Sequence, residues 1–172
     1  MSTAEGDLAL GPDRSSHREK SFLIRPATLD DVEAVAAIEA LAFSNPWHPR
    51  TFRSLIRRNG ALITVAEAEE GEILGYSVAW WVQDQAELAN LAVKENFQGW
   101  GIGSALLDRV LLDLRNSGVN RLFLEVRFSN ERAFALYRSR GFTEVAVRKD
   151  YYRNPREDAR ILLKDLQEKS RS

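Results

Sequence analysis

Residues 91–104 (LAVKENFQGWGIGS) combine an apolar strand pattern, a polar turn and three alternating glycines that open an apolar helix. Glycine lacks a Cβ and adopts positive φ at little cost, so alternating glycines let the backbone approach a ligand closely. The first amides of the helix have no internal partner and, together with the helix dipole, attract a phosphate or diphosphate. We therefore expect this segment to hold a phosphorylated cofactor. The alternative to cofactor binding is structural: the glycines form only the turn at the start of the helix.

The same glycines have a second functional interpretation, the dinucleotide-binding fingerprint. Gly99 and Gly101 follow a strand, and Glu125 lies about twenty residues further on, as that fingerprint requires. Two features count against it. Gly103 comes two positions after Gly101 instead of three, and the polar spacer 94–98 separates the strand from the glycines.

Glu125 interrupts a stretch of apolar residues that is typical of a strand buried on both faces. A carboxylate there is costly unless it reaches water, a partner or a ligand. Strand alternation predicts that Glu125 shares a face with Phe123 and Arg127. Its candidate roles are a functional carboxylate or an ion pair with Arg127 or Arg121, and the spacing leaves both open.

Two further groups of residues have candidate roles. Tyr137 follows Asn130 by seven positions on one predicted helix, so both share a face and offer a phenol and an amide. The alternative is a helix cap at Asn130 and a half-buried aromatic at Tyr137. Trp47, in a proline-rich loop, and Tyr151 with its neighbour Tyr152 could line a substrate groove. Trp47 could equally pack the two N-terminal helices onto the core.

Secondary-structure patterns place these residues on a mixed sheet with helices packed on its faces. The predicted strands are 22–26, 62–69, 73–82, 86–93, 122–127, 145–148 and 159–163, and the predicted helices are 32–43, 51–58, 101–116 and 130–140. Residues 1–20 mix Ser, Gly, Pro and charge, and we expect a flexible leader or a remnant of start-site choice. Residues 21–172 are expected to form a single domain.

Composition excludes several other functions. The chain has 172 residues and no cysteine, which excludes disulfides and a cysteine nucleophile. Its 24 Lys and Arg balance 25 Asp and Glu, so nucleic acid is not expected as a partner. Two histidines far apart do not predict a zinc site, and no metal is expected. The longest apolar run, 78–82, is too short to span a bilayer, so we expect a cytoplasmic protein without membrane contact.

Taken together, these motifs resemble the GCN5-related N-acetyltransferase (GNAT) superfamily. The pattern Gln98-x-x-Gly101-x-Gly103 is similar to that family's acetyl-coenzyme A diphosphate loop, and the likeness extends over about residues 22–166. The blocks at 124–130, 135–137 and 141–142, together with the loop 45–47 and the tail 151–159, resemble the protein N-terminal acetyltransferases. Within these, the bacterial group that acetylates the N-terminal alanine of ribosomal proteins is the most similar.

This resemblance implies a fold, a reaction and a set of roles. The fold is a mostly antiparallel sheet with a parallel pair at the cofactor site and helices on both faces. Acetyl-CoA is the implied donor, and the N-terminal amine of a ribosomal protein is the implied acceptor. Glu125 aligns with the general base, Tyr137 with the general acid, and Trp47 and Tyr151 with the acceptor side. The implied cofactor contacts are Leu91, Ala92, Val93, Gln98, Gly99, Trp100, Gly101, Ile102, Gly103, Ser104, Asn130 and Tyr137.

The chain departs from the family pattern at Gly99, where relatives commonly carry a cation. The diphosphate must then rely on backbone amides and the helix dipole.

The implied chemistry is consistent with the composition. An α-amine has a pKa of about 8 and must lose a proton before it attacks a thioester, which a carboxylate can accept. Direct transfer of this kind requires no cysteine, metal or redox group. Another amine acceptor, such as a lysine side chain or a small molecule, and a non-catalytic CoA-binding domain remain as alternatives.

Overall fold

The structure, a computed structural model, describes residues 20–167 and contains a seven-stranded sheet in the order β1-β2-β3-β4-β5-β7-β6. The strands are β1 (Phe22–Pro26), β2 (Ala61–Ala68), β3 (Ile73–Val82), β4 (Gln85–Val93), β5 (Arg121–Arg127), β6 (Thr143–Arg153) and β7 (Arg156–Asp165). The helices are α1 (Val32–Ala42), α2 (Pro49–Ile56), α3 (Ile102–Asn116) and α4 (Glu131–Ser139). The expected leader, residues 1–20, lies outside the described residues except for Lys20.

The sheet is antiparallel between all neighbouring strands except β4 and β5, which run parallel and are connected through α3. A parallel pair needs a crossover of this kind, because the chain must return to the same end of the sheet. The predicted mixed class is therefore confirmed: a mostly antiparallel sheet contains one parallel pair, with helices on both faces.

Helices α3 and α4 cover one face of the sheet. Leu107, Val110 and Leu114 of α3 are buried against Leu122 and Leu124 of β5. These residues follow helical spacing in α3 and alternate along β5, so burial on this face accounts for both patterns. Phe123, Glu125 and Arg127 of β5, as predicted, alternate with the buried residues and belong to the opposite face.

Helices α1 and α2 cover that opposite face over β2, β3 and β4. Val35 of α1 and Phe52 of α2 are buried in one cluster with Val65, Tyr76 and Val78 of the sheet. Among the helices that the structure describes, none is long and apolar enough to cross a membrane.

The largest differences from the predicted boundaries are in α2 and in the last hairpin. Helix α2 begins at Pro49, two residues before the predicted start, because proline is well suited to the first position of a helix. His48 caps it, and its Nδ1 accepts the Arg50 backbone N–H at 3.2 Å. The last hairpin is longer than predicted in both strands. Its strand β6 is exposed along most of its length, and register shifts interrupt its pairing with β7. Apolar and polar residues therefore alternate only weakly along β6.

Candidate active site

The glycine segment enters α3 through two residues in the left-handed region, Gly99 with φ +82° and Gly101 with φ +84°. A Cβ added at either position would meet no atom within 4 Å, so the backbone conformation, and not crowding, calls for glycine. Gly101 is the N-cap of α3 and provides no side chain to cap it. The first backbone N–H groups of this helix are therefore available to an anion.

A cavity of about 1060 Å³ opens in front of these amides. Its lining includes every residue expected to contact the cofactor except Trp100, namely Leu91, Ala92, Val93, Gln98, Gly99, Gly101, Ile102, Gly103, Ser104, Asn130 and Tyr137. The Trp100 ring packs edge-on against Phe97 at 5.0 Å between centroids. Trp100, which was expected to contact the cofactor, does not line this cavity. Its side chain packs against a small apolar cluster together with Phe97.

The parallel strands β4 and β5 separate beside this cavity. They pair only from Gln85–Arg121 to Leu88–Leu124. The register of β4 against β3 shifts next to Ala89, which leaves one extra residue in β4. Beyond that bulge, the β5-facing backbone groups of Leu91 to Val93 pair with no strand in residues 20–167, so the gap can accept the amides of an extended ligand.

Glu125 follows Leu124, the last residue of β5 that pairs with β4, and 23% of its side chain is exposed. Its Oε1 is 3.4 Å from Nη1 of Arg148, and the Tyr151 phenol donates a hydrogen bond to it, which raises the pKa of Tyr151 to about 12. The predicted alternative partners, Arg127 and Arg121, do not pair with it. Arg127 instead packs on the Tyr152 ring at 4.1 Å.

The ion pair between Glu125 and Arg148 holds the Glu125 carboxylate only weakly in place. The Arg148 side chain is 61% exposed, and exposed ion pairs contribute about 0–1 kcal/mol. Arg148 belongs to β6, two strands away from β5, so adjacency in sequence could not identify it. The carboxylate of Glu125 thus remains accessible from a second groove of about 770 Å³, which Trp80, Glu87 and Tyr151 also line.

Tyr137 is buried on α4, with its ring edge-on to Phe142 at 5.6 Å. Burial raises the pKa of its phenol, so the group stays protonated at neutral pH. It packs with the α3-side cluster, whereas Glu125 belongs to the opposite face. The two candidates therefore lie on opposite sides of β5. Tyr137 lines the same cavity as Leu91 to Val93, and Glu125 follows Leu124, the last residue of β5 that pairs with β4, so both border the gap.

Other candidate residues have packing or capping roles in the structure. The Asn130 side chain accepts the Ala133 N–H at 3.1 Å, so Asn130 is the cap of α4 while also lining the cavity. Trp47 stacks on Trp80 at 5.8 Å and packs against Phe52 at 5.7 Å. Trp47 does not line either cavity, whereas its neighbour Trp80 lines the second groove together with Tyr151.

Sequence reasoning missed a buried carboxylate, Glu39 of α1, which is 1% exposed. It accepts the Trp47 backbone N–H at 3.0 Å, the Asn90 amide at 2.9 and 3.1 Å, and the Tyr76 hydroxyl. Burial and this carboxylate raise the pKa of Tyr76. Glu39 thereby joins the loop carrying Trp47 to the bulged part of β4. Its position on the apolar side of α1 was the available signal, since a charge there needs partners.

The profile of the acetyltransferase (GNAT) family matches residues 32–142, and this chain belongs to that family. The chain is 37% identical over 134 residues to the ribosomal protein bS18-alanine N-acetyltransferase of Escherichia coli strain K12, covering 77% of this chain and 89% of that protein. It is also 37% identical over 136 residues to the enzyme of that name from Haemophilus influenzae, covering 77% and 90%.

Solved structures agree in fold. The crystal structure of the ribosomal-protein-S18-alanine N-acetyltransferase from Escherichia coli has a TM-score of 0.78 and 34% identity, covering 88% of this chain and 98% of that one. The ribosomal-protein-alanine N-acetyltransferase from Brucella melitensis has a TM-score of 0.74 and 27% identity, covering 83% and 99%. The family resemblance inferred from the glycine motif and later blocks is confirmed.

Proposed function

We propose that this protein transfers the acetyl group of acetyl-CoA to the α-amine of a protein N-terminus, specifically an N-terminal alanine of ribosomal protein bS18. The observation that carries the proposal is the gap between β4 and β5. The start of α3 and Tyr137 line the same cavity as Leu91 to Val93, and Glu125 follows the last residue of β5 that pairs with β4, which supports binding of a phosphorylated thioester there. The names of the 37% identical relatives supply the acceptor.

The residues of the large cavity fit an extended phosphorylated thioester. The free amides at the start of α3 suit the diphosphate, because they present partial positive charge to an anion. The unpaired backbone of Leu91 to Val93 suits the amide groups of the pantetheine arm, which adds to the sheet as a short strand would. This arrangement directs the thioester into the gap beside Glu125.

Glu125 acts as the general base in this proposal. It accepts a proton from the protonated α-amine, directly or through a water, and the neutral nitrogen then attacks the thioester carbonyl. A backbone N–H of the bulged β4 stabilises the oxyanion that forms. The carbon–sulfur bond then breaks, Tyr137 donates its proton to the leaving thiolate, and the second proton of the attacking nitrogen restores the phenol, directly or through water. A phenol is protonated at neutral pH and therefore has a proton to donate.

The second groove is the proposed path of the acceptor peptide. Tyr151 lines it directly, and Trp47 shapes it through the stacked Trp80. The pKa of Glu87 is raised by burial and by the nearby Glu125 carboxylate. Glu87 and Glu125 both line the groove, so it presents two acidic side chains to an incoming ammonium group, which suits an α-amine that arrives protonated.

A peptide panel tests the proposed acceptor. Peptides that differ only in their first residue are incubated with enzyme and isotopically labelled acetyl-CoA, and tandem mass spectrometry locates the label. We expect alanine-first peptides of bS18 to be labelled fastest, on the α-amine. A matched peptide with a blocked α-amine and a free lysine is the control. Label on that lysine would favour a side-chain acetyltransferase, and cofactor binding without labelling of any amine would favour a non-catalytic domain.

A further inference from the structure

The segment from Gln98 to Ser104 contains no cation, although its proposed ligand is a diphosphate with about two negative charges. A helix N-terminus supplies only about half an elementary charge. Backbone amides alone therefore leave most of the ligand charge uncompensated. A cation from another element of the fold would complete the site.

Arg132 of α4 lies at the required place. It lines the large cavity, and its Nη1 donates a hydrogen bond to Oε1 of Gln98 at 2.9 Å. Gln98 is the first residue of the glycine segment, so the guanidinium lies beside the loop that leads to the free amides of α3. This contact joins two elements that are 34 residues apart in sequence.

The charge of Arg132 is also available. Lys94, the other cation among the described residues that line the cavity, forms an ion pair with Glu72 at 2.8 Å. Arg132 contacts the neutral amide of Gln98 and has no carboxylate partner within residues 20–167. A guanidinium offers five N–H donors in a planar fork that matches phosphate oxygens, and one of them is used here.

We propose that Arg132 supplies from α4 the positive charge for the cofactor diphosphate that the glycine loop lacks. The inference rests on the proposed use of acetyl-CoA. It assigns to this arginine a binding role, outside the chemical step, in which Gln98 holds the guanidinium towards the loop.

Calorimetry with Arg132→Ala tests this role without measuring activity. The titrants are CoA and 3′-dephospho-CoA, which keeps the diphosphate but lacks the ribose phosphate. We expect Arg132→Ala to bind both about tenfold more weakly than the unmodified protein at low salt, since a hydrogen bond to a charged group is lost. The deficit should shrink near about 0.5 M salt because exposed charges are screened. Arg132→Lys, which keeps the charge but not the fork, should lose less.

Arg138→Ala is the matched control. Arg138 is an exposed arginine of the same helix, its guanidinium lies over Phe134 at 5.7 Å, and it does not line the cavity. It should bind both titrants as the unmodified protein does. Equal affinities of Arg132→Ala and Arg138→Ala would overturn the inference. A deficit for CoA that is absent for 3′-dephospho-CoA would also overturn it, by assigning Arg132 to the ribose phosphate. Failure of the unmodified protein to bind CoA would refute the proposed function, and this inference with it.

Discussion

Tyr76→Phe tests whether the buried carboxylate of Glu39 depends on the donors around it. Tyr76 is fully buried and its ring packs edge-on to Phe52 at 5.8 Å, so phenylalanine preserves the packing. The change removes only the hydroxyl that donates to Glu39. Because Glu39 is 1% exposed, water cannot easily replace the lost donor.

The expected cost follows from the type of bond. A hydrogen bond to a charged group contributes about 1.5–3 kcal/mol, and the remaining donors from Asn90 and Trp47 stay in place. For a chain of this size, that cost corresponds to a fall of about 3–12 °C in Tm. Urea unfolding followed by fluorescence should show a lower midpoint with an unchanged m-value.

Tyr137→Phe provides a matched control for stability. Tyr137 is also a buried tyrosine, but its hydroxyl has no hydrogen-bond partner in the part of the chain that the structure describes. Its removal should change the free energy of unfolding by less than about 0.5 kcal/mol. If Tyr76→Phe were as stable as the unmodified protein, the hydroxyl would not support Glu39, and the carboxylate would depend on Asn90 and the Trp47 backbone N–H.

Three further predictions concern the site and its frame. Tyr137→Phe should slow acetyl transfer about a hundredfold in steady-state assays, whereas unchanged turnover would reassign the phenol to packing. Gly101→Ala should weaken CoA binding and cost about 1–2 kcal/mol at its left-handed φ, whereas Gly118→Ala, with φ +79° and equal space for a Cβ, should cost the same but bind CoA normally. Asp31→Asn should cost about 1–3 kcal/mol at neutral pH. Arg25 holds the pKa of Asp31 below its ordinary 3.8, so this stabilisation is present above that value and is lost as pH falls through the lower folded value. Urea titrations at a series of pH values would show the two proteins converge below about pH 4, and a constant difference would contradict the role of the ion pair.

The sequence predicted best those elements whose pattern is set by one buried face. Helix α3 was predicted to begin within one residue of its start and to end at Asn116, because leucines at helical spacing lie between a glycine start and Gly118. Strand β6 was predicted too short, since it is exposed and its pairing with β7 defines it more than its own residues do. Alternation also placed Glu125 on the correct face of β5.

The parts of the site that could not be predicted depend on contacts between distant segments. Arg148 reaches Glu125 from β6, although Arg127 and Arg121 are nearer in sequence. Glu39 meets Tyr76 and Asn90 across 37 and 51 residues. Local spacing showed that Glu125 needs a partner, but only the order of strands in the sheet identifies that partner, and it did not reveal Glu39 at all.

In the proposed reaction, Glu125 accepts the proton of the acceptor amine beside a bound thioester. Single-turnover transfer by Glu125→Gln, with CoA affinity measured on the same preparation by calorimetry, tests it most directly. We expect transfer to be slowed by a factor of about 100–10,000 at neutral pH with cofactor affinity unchanged, because only the proton acceptor is lost. Transfer at the rate of the unmodified protein would show that Glu125 is not the general base.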